Sequence, residues 1–197
     1  MRYDAEHKQK TREKVLDAAA EALRLDGPLK MGVAEVMAKA GLTHGGFYAH
    51  FKSKDELVAC TIDHMFATSA QRRLDGMKDW PPAQALSAYI DFYLSESHRD
   101  KRITGCAMPA LAADLPRLPT AAQEAFAGGV RRMTERIAGL LTAMGRDNAE
   151  DLAASTVAEM VGALSLARAE PDREHSNLML QRSHRILKQR LDLEVLP

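Results

Sequence analysis

Apolar residues recur at three- and four-residue steps from Thr11 almost to the end of the chain, and no stretch shows the alternation of a half-buried strand. The expectation is an all-α protein. Val15, Leu16, Ala19 and Leu23 form the stripe of a first helix over 11–25, which Asp26-Gly27-Pro28 stops. Val36 and Met37 face inward on a second helix over 33–40. Beyond residue 53 longer helices are expected over 54–74, 82–95, 120–144, 147–168 and 174–191, with a short one ending near Asp114. Proline-bearing breaks at Trp80-Pro81-Pro82, Thr104 to Pro109, Leu115 to Pro119 and Pro171 separate them.

The stretch from Gly41 to Leu57 departs most from this regularity. Gly41 is suited to the left-handed conformation that ends a helix, and Thr43 can cap the next one. Phe47 and Phe51, four apart, share a face that points into a small core, while His44 and Tyr48 lie on another face beside Gly45. Ser53-Lys54-Asp55-Glu56 is a capping box that opens the following helix. Gly45 and Gly46 each cost about 1 kcal/mol relative to alanine in a helix. Such a violation marks either tight packing on neighbours or a surface that something must approach. A short helix with a bare face, an imidazole and a phenol suits the major groove of double-stranded DNA. On that reading His44 reaches a base edge, Gly45 gives clearance, and Thr43, Tyr48, His50 and Lys54 hold phosphates.

These residues resemble the helix-turn-helix of the TetR family of bacterial transcriptional regulators. The family pattern appears as Ala40-Gly41-Leu42-Thr43, Gly46-Phe47-Tyr48-Ala49-His50-Phe51 and Ser53-Lys54-Asp55-Glu56-Leu57. The resemblance covers roughly residues 10–60. It implies an N-terminal three-helix DNA-binding domain, here 1–53, followed by a helical-bundle ligand-binding and dimerisation domain, here 54–197. It also implies a homodimer that binds an inverted-repeat operator as a repressor and is released by a small-molecule inducer. Family members often carry Ser or Thr at the start of the second helix; this chain has Met31-Gly32.

Charge complicates and then supports this picture. The formal net charge is zero. Residues 1–54, however, hold ten Lys/Arg against seven Asp/Glu, a net of +3, and the remainder holds seventeen against twenty, a net of −3. A mildly basic reader on an acidic body has the polarity that DNA requires. Lys8, Lys10, Arg12 and Lys14 form a basic arm that can reach a phosphate or the minor groove.

In the C-terminal part, Ala153, Val157, Met160, Leu164 and Ala167 repeat at 4-3-4-3 spacing, with Val161 on the flank. Leu180, Leu187 and Leu191 make a companion stripe. Two such helices per subunit can form a four-helix bundle about a two-fold axis, which the resemblance favours over packing inside one subunit. Phe66, Tyr89, Phe92, Tyr93, Met108, Leu111, Phe126 and Met133 are candidates to line a pocket for a fairly apolar ligand, although such residues also serve as plain core. Cys106 stands near a helix start, where a thiol gains reactivity. Gly105-Cys106 with Leu111-Ala112-Ala113 resembles the branch of the family that includes flavonoid- and electrophile-responsive repressors. Cys106 is therefore a candidate sensor as well as a pocket residue.

An enzyme and a non-DNA helical interaction module are the competing classes. The chain has no glycine-rich phosphate loop, His-Glu-x-x-His, Cys-x-x-Cys or nucleophile elbow, and no cofactor or metal is expected. Two cysteines make no disulfide framework, no signal peptide opens the chain, and no apolar run suggests a membrane span. A cytoplasmic setting is expected.

Overall fold

Among the residues described by the structure, a computed structural model covering 2–68 and 70–193, every regular element is helical. The order is α1 (Arg2–Leu25), α2 (Gly27–Lys30), α3 (Val33–Lys39), a 3-10 turn (His44–Ala49), α4 (Lys54–Thr68), α5 (Ala70–Asp75), α6 (Pro82–Tyr93) and α7 (Glu96–Asp100). A 3-10 turn (Arg102–Thr104), α8 (Ala107–Leu111), a 3-10 turn (Leu115–Arg117), α9 (Thr120–Ala143), α10 (Ala149–Ala169) and α11 (Arg173–Arg190) complete it. The helix expected over 54–74 is α4 and α5, with residue 69 outside the description. The first helix starts well before Thr11. Its added turns carry the i,i+4 pairs Lys10–Glu6 at 2.9 Å and Gln9–Glu13 at 2.8 Å, which support a polar helix without a core face. The helix α7 is not visible in the periodicity; it is set by Ser95, whose Oγ accepts from the His98 amide at 3.1 Å.

The chain divides into two compact units, 1–68 with 106–129, and 69–105 with 130–197. In the first, α1 packs on α3 and α4, and α8 lies on α1, α2 and α4. Its core holds Val15, Ala19 and Leu23 of α1, Met37 of α3, Phe47, Phe51, and Leu57, Ile62 and Met65 of α4. The unit therefore does not end at residue 53. The first three helices are too small to bury a core by themselves, and α4 completes it. Phe66 meets Phe126 edge-on, with ring centroids 5.7 Å apart, and an added methyl at Gly129 would run into the Phe66 ring.

In the second unit α10 packs along α11, with α6 against both and α7 against α10. Val157, Met160, Leu164, Leu180, Leu187 and Leu191 are buried inside this single subunit. This corrects their assignment to a dimer seam. Regular 4-3 spacing shows that a helix has an apolar stripe, but not which partner covers it. Val161, on the flank, is only partly covered, and Leu166 and Ile186 are 62% and 47% exposed. By length and composition alone α10 could also cross a bilayer, contrary to the expectation that no run is apolar enough. Its apolar face is spent on packing instead, and Glu150, Asp151, Glu159 and Arg168 punctuate the rest.

Candidate DNA-reading surface

Gly41 has φ +75, the left-handed backbone that stops α3, and the Leu42 amide bonds back to the Met37 carbonyl at 2.9 Å. Thr43 is extended and exposed, and its hydroxyl does not cap the following turn. The cap is instead its carbonyl, which accepts from the Gly46 amide at 3.0 Å. The reading segment is a 3-10 turn rather than an α-helix. In a 3-10 helix residues three apart align, so Tyr48 stands over Gly45. Tyr48 is 72% exposed, and His44 and Gly45 are exposed beside it.

The two glycines differ. A methyl at Gly46 would meet Met37 Cε at 3.7 Å and Thr43 Oγ1 at 3.8 Å, whereas one at Gly45 would meet nothing in the protein within 4 Å. Gly46 thus belongs to the packed side and Gly45 to the open side.

The turn is held from behind. Phe47 and Phe51 are both 2% exposed and stack at 5.8 Å. Phe47 meets the Tyr48 ring edge-on at 5.2 Å. After the turn, Ser53 Oγ accepts from the Glu56 amide at 3.1 Å, and Glu56 Oε2 accepts from the Lys52 amide at 2.6 Å. This is the expected capping box, with its return bond one residue early. Lys54 is half-buried, its Nζ 3.5 Å from the Leu29 carbonyl it donates to.

His50 is partly covered, and its Nδ1 is buried without a hydrogen-bond partner among the described residues. Burial first, and then the charges of Lys8 and Arg12, hold its pKa below the ordinary value. Lys8 and Arg12 stand four apart on one face of α1. In the sequence they read only as part of a loose basic arm. Their convergence on His50 is hidden there, because the turns of α1 that carry them show no apolar stripe.

The pocket candidates fall in both units. Phe66, Cys106, Met108, Leu111 and Phe126 belong to the first, and Tyr89, Phe92, Tyr93 and Met133 to the second. Cys106 is 2% exposed. In the second unit Tyr89 donates to Met133 Sδ at 3.4 Å, and Tyr93 tilts against Tyr89 at 5.9 Å. His98 lies between Phe92, stacked at 4.8 Å, and Tyr93, edge-on at 4.8 Å, and Arg73 covers the Phe92 ring at 3.6 Å.

Comparison with known families decides what carries this turn. Residues 15–60 match the model described as bacterial regulatory proteins, tetR family. Residues 82–178 match the C-terminal domain of LmrA/YxaF-like transcriptional regulators. Together the two models cover most of the sequence. The chain belongs to the TetR family. It is a DNA-binding transcriptional regulator, as the family is, and not an enzyme.

The TetR-family match contains Thr43, His44, Gly45, Tyr48, His50 and Lys54, and Arg12 stands just ahead of it. Similarity to individual TetR-family proteins is concentrated in part of the chain. YvdT, an uncharacterised HTH-type transcriptional regulator of Bacillus subtilis, is 29% identical over 91 residues, 45% of this chain and 47% of that protein. TtgR, an HTH-type transcriptional regulator of Pseudomonas putida, is 34% identical over 68 residues, 34% of this chain and 32% of that protein. The alignments span less than half of either relative. The fold match is broader. The reduced form of Escherichia coli NemR superposes with a TM-score of 0.79 at 23% identity, covering 91% of this chain and 96% of that one. A TetR regulator from Chloroflexus aurantiacus gives 0.79 at 23% identity, with 95% and 96% covered.

Proposed function

We propose that the chain is a homodimeric, ligand-released repressor that binds an inverted-repeat operator in the cytoplasm. Residues 1–53, together with Lys54 at the start of α4, supply the DNA contacts, and the rest of the chain supplies ligand binding and dimerisation. The observation that carries the DNA contact is the exposed strip Thr43, His44, Gly45 and Tyr48 on a turn whose other side is packed. His44 reads a base edge, and Gly45 lets the backbone approach. Thr43, Tyr48, His50 and Lys54 hold phosphates. The buried stripes of α10 and α11 leave their exposed flank, with Val161, Leu166 and Ile186, as the surface for the second subunit.

The inducer acts by binding the DNA-incompetent arrangement better than the competent one. Within the second unit Tyr89, Phe92, Tyr93 and Met133 suit an apolar small molecule. The near-complete burial of Cys106 favours reversible binding over covalent capture at that thiol. Selection of bound fragments from genomic DNA tests the proposal. Recovery of an inverted repeat with half-sites about one helical turn apart supports it, and fragments sharing no repeat refute it. With an inducer in hand, Cys106→Ser separates the two routes. Release of operator at unchanged potency is expected, and loss of release with intact DNA affinity would make the thiol the trigger.

A further inference from the structure

Arg12 reads in the sequence as one cation in a basic run. In the structure it is half-buried and engages two other elements. Its guanidinium carbon lies 4.6 Å from the centroid of the Phe51 ring, and its Nη2 donates to Cys60 Sγ at 3.1 Å. Phe51 follows the reading turn and Cys60 lies in α4, so one side chain of α1 bridges both. From Phe51 the contacts continue to Phe47 and from there to Tyr48.

The reading turn is six residues of 3-10 helix and has little rigidity of its own. Its attitude is set by what Phe47 and Phe51 rest on. Phe47 rests on the helical core. Phe51 has that core on one side and the flat guanidinium on another. An arginine can lie face-on against a ring and donate sideways from its edge at the same time. A lysine ammonium, a point charge without a plane, cannot reproduce that pair of contacts.

We propose that Arg12 is a positioning residue for DNA reading. It clamps the end of the reading turn to α4 through Phe51 and Cys60, and it does not act as a phosphate contact. The inference rests on the assignment of the 43–48 strip as the DNA-facing surface. It deepens that assignment by naming what holds the strip at its angle. It also gives Cys60 a role as acceptor for the clamp.

The test measures affinity for operator and for random-sequence DNA across a salt series. The variants are Arg12→Lys, Arg12→Gln, Cys60→Ser, Cys60→Leu and the pair Arg12→Lys with Cys60→Leu, each checked for an intact urea transition. Both Arg12 variants should lose operator affinity by about tenfold, with random-sequence affinity within about twofold and the salt slope unchanged. Cys60→Ser keeps an acceptor and should bind as the parent does. Cys60→Leu displaces the guanidinium and should reproduce the Arg12→Lys loss, and the pair should lose no more than either alone.

Three outcomes overturn the clamp. One is an Arg12→Lys variant that binds as the parent does while Arg12→Gln weakens every sequence and flattens the salt slope by about one, the signature of a phosphate contact. Another is multiplicative loss in the pair. The third is equal loss on operator and random sequence, which marks a general structural role. If Arg12→Lys fails to fold, Cys60→Leu and Cys60→Ser decide alone. Tyr48→Ala in the same series separates the clamp from the surface on which it rests. Intact operator binding there removes the surface assignment and the clamp together, whereas loss there with an unaffected Arg12→Lys removes only the clamp.

Discussion

The reading turn leaves Thr43, His44, Gly45 and Tyr48 at the surface, whereas α7 buries a full charge, Arg99, at 3% exposure. Arg99 Nη1 donates to Ser176 Oγ at 2.7 Å and to Asn177 Oδ1 at 2.6 Å, and its Nε donates to Asp100 Oδ1 at 2.9 Å. Asp100 also accepts from Arg173 Nη1 at 2.8 Å, and Ser176 Oγ donates to the Ala167 carbonyl at 2.6 Å. Arg168 Nη2 donates to the His98 carbonyl at 3.0 Å, and its Nε to that of Arg99 at 3.2 Å. A charge taken out of water must be matched by partners inside the chain, so this node is committed to holding α7, α10 and α11 together. The reading strip has the opposite character. Its polar groups face outward from a packed aromatic floor, which is the arrangement of a surface made to meet something else. Substitutions should therefore cost stability in the second unit and DNA affinity in the first.

The largest expected effect contrasts two leucines of α10. Leu164 is fully buried, and Leu164→Asp should destabilise the subunit by more than about 4 kcal/mol, giving an unfolded chain rather than a folded monomer. Leu166→Asp, at an exposed position, should keep the fold within about 1 kcal/mol yet separate the dimer in sedimentation. A stable Leu164→Asp protein would contradict the buried stripe. A dimeric Leu166→Asp would move the interface elsewhere.

The next effect is set by pH. Burial, with the nearby Arg168 and Arg73 charges and against a hydrogen bond to the Tyr93 carbonyl, lowers the pKa of His98 to about 4. Between 4 and the ordinary 6.5 the unfolded chain binds the extra proton, so stability rises with pH through that window. About 3 kcal/mol, fully present above the ordinary value, should be lost as the pH falls to the lower one. Asp100, held far below the usual carboxylate range by Arg173 and then Arg99, adds a lower window. Its contribution is present above the ordinary carboxylate value and lost beneath it. Urea midpoints across pH should show both slopes, and His98→Asn, which keeps a donor for the Tyr93 carbonyl, should remove the upper one. An unchanged upper slope in that variant would place the titration on another group.

Reading-strip substitutions should do the reverse. Tyr48→Ala is expected to cost about 1–3 kcal/mol of operator binding while stability moves by no more than about 0.5 kcal/mol. His44→Ala should change base preference. Lys54→Ala should weaken all sequences alike and flatten the salt slope by about one unit. Equal loss on every sequence for His44→Ala would make it a phosphate contact.

The smallest and sharpest test is Gly45→Ala. A methyl there meets no protein atom within 4 Å, so stability should hold or rise by up to about 1 kcal/mol. Operator affinity should fall, because the methyl enters the space kept for DNA. Unchanged affinity would show that the bare backbone is not a close approach.

How much of this is legible in the sequence depends on the kind of signal. The Gly41 stop, the Ser53–Glu56 capping box and the Phe47–Phe51 floor are local, and each appears where its residues stand. The 3-10 form of the turn is not legible, since its residues fit either helical period over so short a run. Nor is α7, because its five residues are fewer than a periodicity can show. The start of α1 is hidden because its first turns have no core face to display.

The sequence by itself determined the all-helical class, the TetR-type reading segment and the positions of most breaks, because capping, turn chemistry and helical period act over a few neighbouring residues. Only the tertiary structure decided which partner covers each stripe, that α4 belongs with the first core, that Val157, Met160 and Leu164 face inward, and that Arg12 meets Cys60. Those outcomes depend on contacts between residues tens of positions apart, and an apolar or basic face records that it needs a partner without recording which one.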